Sequence, residues 1–263
     1  MVDWALFDPE GAMRQRYSEI DERIEDVKES VERAGLNWDS FQEMYDISWI
    51  YHENGLEGVV LTYPEIKSAV DNKIISDVSL LPTYQDIKNQ KSCIDQMREK
   101  ARNKRFVITV EFLKSLHSLL VNDPEMDGVY RKDIPIHRTY FHEIAQPAKI
   151  QTALTKCLDY LKARNTDDLH TIEFAANVHH RFMHAFPFSD YSGMLGRVLC
   201  NFVLVREGYL PVIIHASDRQ RYYEALRGPE RDFRQFIAES MENSLDNALR
   251  FLRPADNTRR VAQ

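Results

Sequence analysis

A mainly α-helical protein with one β-hairpin is what this sequence predicts, and three observations carry the expectation. Apolar residues recur at three- and four-residue intervals along most of the chain, the spacing of a helix face turned to a core. Only 9 Gly and 10 Pro occur in 263 residues, among many Leu, Glu, Lys and Arg, a composition of helices rather than of a β-sandwich. Strand-like runs with a turn signal occur only between Asp127 and Pro147. With 43% hydrophobic residues, the chain can bury a substantial core.

In chain order, Glu10 to Ala34 places Met13, Tyr17, Ile20, Ile24, Val27 and Val31 on one face of an amphipathic helix that Gly35 stops. Asn37-Trp38-Asp39-Ser40 caps a second helix running to about His52, and Asn54-Gly55 marks a turn. Pro64 suits the first turn of a helix from Thr62 or Pro64 to Val70. A long helix follows Leu80-Leu81-Pro82-Thr83, from Tyr84 to Asn103, and another spans Thr109 to Val121. Asp127-Gly128 turns into the apolar run Asp133 to His137, with Tyr140 to His142 as its return strand. Helices then cover Ile150–Arg164, His170–Ala185, Gly193–Glu207, Asp218–Leu226 and Asp232–Leu252.

The net charge is -7, so nucleic acid is not an expected partner. Cys93, Cys157 and Cys200 are scattered, without CxxC pairs or nearby His at ligand spacing, and read as reduced thiols. The first residues lack a basic, apolar leader pattern, and no apolar run approaches the ~20 residues of a membrane span. A cytoplasmic protein with no membrane contact is the expectation.

The segment Ser192-Gly193-Met194-Leu195-Gly196 stands just ahead of a helical apolar pattern. Amides at a helix N-terminus point outward and favour an anion, and glycines let a phosphate approach the main chain. Taken alone, such a Gly-x-x-Gly is as often only a turn. In its wider context, Phe186-Pro187-Phe188-Ser189-Asp190-Tyr191-Ser192-Gly193-Met194-Leu195-Gly196-Arg197 resembles the signature of the Fic (Fido) family, H-P-F-x-D/E-G-N-G-R-x-x-R. The register is fixed downstream, where Gly196 to Pro211 is similar to the family pattern GRLLxNxxLxxxGYxP. The similarity extends from about Ile50 to Leu252, including Gly128-Val129-Tyr130-Arg131 ahead of the hairpin and Ser217 to Leu226.

The resemblance implies a Fic/Fido-type helical bundle with a β-hairpin flap, in a domain spanning residues 50–252. A helical extension would precede it over residues 1–49, and a polar tail would follow over 253–263. It also implies AMP transfer from ATP to a protein hydroxyl, with Mg²⁺ and with ATP or another nucleotide in the pocket. In that register Phe186 takes the place of the catalytic His, Ser192 that of Asn and Met194 that of the first Arg. Ser192, Gly193, Met194, Gly196 and Arg197 would form the nucleotide cradle, and Asp190 would hold Mg²⁺, as a hard oxygen donor. A flap containing Ile134, Pro135 and Ile136 would dock a protein target by strand addition. Upstream, Glu53-Asn54-Gly55-Leu56-Glu57-Gly58 resembles the family's inhibitory segment S/T-x-x-x-E-G/N. Glu57 would then pair with Arg197 and block the terminal phosphate, while Glu53 stands at the Ser/Thr position.

Phenylalanine cannot accept a proton, and loss of a general base costs about 10²–10⁴-fold in rate. Met194 removes a guanidinium from the phosphate site. The leading expectation is therefore a catalytically impaired module that binds a nucleotide or other phosphate ligand, with a homodimer allowed. One alternative is an active transferase using His184 as a substitute base. Another is a structural protein whose pocket is closed by Tyr191 and Met194.

Overall fold

The computed structural model describes residues 9–73, 78–135, 142–164 and 168–252. Ten α-helices lie in those residues: α1 (Pro9–Arg33), α2 (Trp38–Leu56), α3 (Tyr63–Val70), α4 (Leu81–Arg102), α5 (Val110–Leu120), α6 (Ile150–Ala163), α7 (Thr171–Ala185), α8 (Ser192–Arg206), α9 (Arg219–Arg227) and α10 (Glu230–Leu252). Their starts are chemically marked. The Asn37 side chain accepts from the Ser40 amide at 2.8 Å to cap α2. Thr62 and Glu65 form a reciprocal capping box ahead of α3, with Pro64 in its first turn. Thr109 caps α5 through the Phe112 amide.

The centre of the bundle is the α7–α8 pair. Every residue of α8 from Ser192 to Leu204 is buried, so this helix is covered on every side. Helices α6 and α10 flank α7, α4 lies against α8, and α1 closes the outside of α10. On α1, Tyr17, Ile20, Ile24, Val27 and Val31 are buried, as the spacing predicts. Arg16 and Arg23 tie its polar edge to Glu242 and Asp246 on α10. Gly208, with φ +87, ends α8. The buried Asn201 then accepts from the Val212 amide at 2.7 Å and donates to the Val212 carbonyl at 3.0 Å, holding the extended exit. No described helix is long and apolar enough to cross a membrane.

One expectation is corrected, and a second falls largely on residues outside the description. Asn54-Gly55 is not a turn: α2 continues through both residues to Leu56. The Asn54 amide is buried, donating to the Ile50 carbonyl and pairing with Gln90 of α4. A Cβ on Gly55 would come within 2.6 Å of the Ala216 Cβ, so its lack of a side chain serves packing. Among the described residues the hairpin region contains no strand: its first half is turn and irregular chain, and residues 136–141 lie outside the description.

Candidate functional site

The site is assembled where α7 ends, α8 begins and the last turn of α2 passes over both. Helix α7 stops at Phe186, which adopts the left-handed conformation (φ 39°, ψ 67°) as its C-cap. Tyr191, the N-cap of α8, is also left-handed, at φ 57°. These two non-glycine residues bracket the loop, each at a conformational cost of order 1 kcal/mol. Its shape is therefore imposed by its surroundings, and Arg131 supplies much of that constraint. The buried Arg131 donates from Nε to the Phe186 carbonyl at 2.7 Å, from Nη1 to the Asp133 carbonyl at 3.0 Å, and from Nη2 to the Ala145 carbonyl. Its amide donates to the Pro187 carbonyl at 3.0 Å. Phe188 stacks on His117 with centroids 4.0 Å apart.

Phe186 itself is fully buried, its ring lying against His142 within the core. Ser192 turns inward: its hydroxyl accepts from the Phe188 amide and donates to the Phe188 carbonyl, both at 2.8 Å. It closes the loop on itself and presents no side chain to a ligand. Met194, also buried, joins the core. Gly196 has a packing role in place of the expected ligand contact. A Cβ there would meet the Met183 sulfur at 2.9 Å, so it faces α7 and lets the two central helices approach. Gly193 is different. Its open face looks onto the Glu57 carboxylate (2.8 Å from a built Cβ) and both terminal nitrogens of Arg197 (3.2 Å each). The amides of Ser192, Gly193 and Met194, in the first turn of α8, have no helical acceptor by position. Such a position favours an anion, and the Glu57 carboxylate lies beside Gly193 at it.

Arg197 is the charged centre of the site. Both carboxylate oxygens of Glu53 lie 2.9 Å from its Nε, and one also meets Nη2. Glu57 meets the same Nη2 at 2.8 Å. Nη1 donates to the Tyr222 hydroxyl at 3.4 Å, and Tyr222 in turn reaches Nε2 of His179 at 2.9 Å. Burial pulls the Arg197 guanidinium down, but Glu53, Tyr222 and Glu57 more than reverse this, so the group stays charged. Burial, with Arg197 nearby, pushes His179 well below the usual imidazole range. Neutral His179 thus shares an uncharged hydrogen bond with the Tyr222 hydroxyl.

The other expected residues are spread around this centre. Asp190 is exposed at the end of the loop, just before the start of α8. His184 sits apart in α7 among other imidazoles, with ring centroids 4.5 Å from His180 and 5.7 Å from His142. Its Nε2 is buried, with no hydrogen-bond partner among the described residues. Ile134 and Pro135 are half-buried beside the loop, and Ile136 lies outside the described residues. Glu53, Arg131 and His179 are contributors that reading the sequence did not place. For Glu53 a signal existed: it precedes Glu57 by four residues, which on a continuous α2 puts both carboxylates on one face.

Fold and site together define a class: a helical bundle in which a buried arginine near the start of a central helix is held by two carboxylates from the end of another helix. Residues 107–204 match the model of the Fic/DOC family, and the chain carries a Fic-family domain. Curated relatives named "Protein adenylyltransferase Fic" from Culex quinquefasciatus and Aedes aegypti are 27% and 26% identical to it over 241 residues. Those matches cover 89% of this chain and 47% of each relative, so the chain spans about half the length of the curated relatives it matches. A Fic domain-containing signaling protein from Bacteroides thetaiotaomicron superimposes with TM-score 0.74 at 22% identity, covering 90% of this chain and 97% of that one. Fic-1 from C. elegans gives TM-score 0.75 at 18% identity, covering 92% and 73%. The fold is the Fic-type helical bundle.

Proposed function

We propose that this chain is an adenylyltransferase-like Fic protein whose catalytic step is impaired, and that it serves as a nucleotide- or phosphate-ligand-binding module whose arginine is held by Glu53 and Glu57. The observation that carries the reading is the fully buried Phe186 at the position of the family's catalytic His. A general base must reach the hydroxyl that it deprotonates, and a phenyl ring sealed in the core supplies neither a lone pair nor access. The position of His184 favours impairment over rescue, since its Nε2 is enclosed beside His142 and His180.

The residues present fit Mg²⁺-ATP in part. Asp190 is exposed and offers the hard oxygen that Mg²⁺ takes, and the first amides of α8 offer donors to phosphate. Arg197, the group suited to a terminal phosphate, is already engaged by carboxylates. Bound ATP would supply an activated phosphoanhydride, while this chain's own residues would bind and orient it without removing the acceptor proton. Ile134 and Pro135 beside the loop support the flap as the docking edge for a protein target.

The test is calorimetric binding of Mg²⁺-ATP and other nucleotides to the wild type, together with label transfer from radioactive ATP. We expect weak binding and no transfer. Transfer would overturn impairment, and its loss in His184→Ala would then make His184 the base. Absence of binding to the wild type and to variants opened at Arg197 would favour a closed, structural pocket.

A further inference from the structure

Two carboxylates hold Arg197, and they are not equivalent. Glu53 is buried, its side chain only 3% exposed, and takes the side-on edge of the guanidinium with both oxygens. Glu57 is 35% exposed and meets Nη2 through one oxygen. The end-on edge, Nη1 and Nη2, faces Gly193 and the N-terminus of α8, which is where an incoming phosphate would sit. Glu53 lies on the far edge and does not stand in that path. It sits mid-turn on α2, whose register is fixed by Asn54 bonding to Ile50 and Gln90. A ligand can therefore displace Glu57 without displacing Glu53.

Charge follows from the same geometry. One guanidinium and two carboxylates sum to about -1. The remaining groups on Arg197 are Tyr222 and neutral His179, neither of which adds positive charge. When Glu57 withdraws, Arg197 is left in a side-on ion pair with Glu53, its charge cancelled at close range. The helix N-terminus and one compensated arginine edge then face the ligand.

We propose that Glu53 is a specificity-determining partner of Arg197: it positions the guanidinium and cancels its charge whether or not Glu57 is in place, so the site discriminates against the highly charged end of a triphosphate. The inference rests on the reading of this site as a phosphate-ligand site. It predicts that opening Glu57 alone is insufficient and that both carboxylates must go before a triphosphate is gripped.

The experiment uses the full chain with inorganic tripolyphosphate, Mg²⁺-ATP and adenosine as calorimetric probes of wild type, Glu57→Gly, Glu53→Gln and Glu53→Gln/Glu57→Gly. We expect Glu57→Gly to bind tripolyphosphate within about threefold of wild type, and the double variant to gain about tenfold or more, the worth of one charge-assisted hydrogen bond. Adenosine, which lacks phosphate, should not distinguish the variants, whereas a merely structural role for Glu53 would move all probes together. The inference is overturned if Glu57→Gly alone matches the double variant, if adenosine affinity changes in parallel, or if the double variant fails to bind tripolyphosphate. Tripolyphosphate binding without any binding of ATP would sink the nucleotide reading and leave Glu53's role standing. Should the double variant not fold, Glu57→Gly decides: a tenfold gain from that substitution refutes the proposal.

Discussion

Phe186 combines two roles in this fold. Its ring fills the core beside His142, and its left-handed backbone ends α7. An imidazole in its place would be buried with the same constraint, at a cost of about 1–3 kcal/mol unless it found a partner. Phe186→His is therefore expected to lower the melting temperature and still give no label transfer, because Met194 remains apolar and Arg197 remains paired. Transfer by that single variant would show that the base alone was missing. Adding Ser192→Asn and Met194→Arg is the complete restoration. A folded, silent triple variant would speak against simple decay of the site.

At the scale of elements, the site depends on α2 running one turn further than its sequence suggests. Gly55 permits this by nesting against Ala216, ahead of α9. Gly55→Ala gains about 1 kcal/mol of helix propensity but must push that segment away, an overpacking cost of about 1–3 kcal/mol. We expect a net loss visible as a melting point lower by roughly 2–4 °C, the shift per kcal/mol for a chain of this size. An unchanged or higher melting point would show that the α2–Ala216 contact can relax. Asn201 does comparable work at the end of α8, satisfying both backbone groups of Val212. Asn201→Ala strands two buried groups and should cost about 2–4 kcal/mol in urea unfolding. A smaller loss would imply that water replaces the amide.

For the whole molecule, imidazole burial predicts how stability responds to acid. His52 is pushed down to about 4 by burial and by His215, against which it stacks. His117, His179 and His180 are shifted down as well, burial being the first cause for each. A depressed imidazole stays neutral in the folded state while the unfolded chain takes up the proton. Stability is then fully present above pH 6.5 and is lost as pH falls, for His52 down to about 4. Buried Asp46, pushed up by burial and bound to Arg98, works in the opposite direction, one carboxyl against four imidazoles. The melting temperature should fall between pH 6.5 and 4. A flat profile would mean that these rings are protonated in the fold.

The sequence by itself determined the helices, because a 3.6-residue period and local caps act within one segment: α1, α3, α5 and α8 lie within a residue or two of where Thr62, Thr109 and the apolar stripes put them, and α2 starts where Asn37 caps it. What only the tertiary structure decided are interactions between residues far apart in the chain. Asn54-Gly55 carries a turn signal that a buried amide pair with Gln90 and a close approach to Ala216 override. That override carries α2 onward and delivers Glu53 to Arg197, 144 positions later. No local pattern encodes the pairing: two carboxylates on one arginine become a single electrostatic unit only when packing removes water from between them.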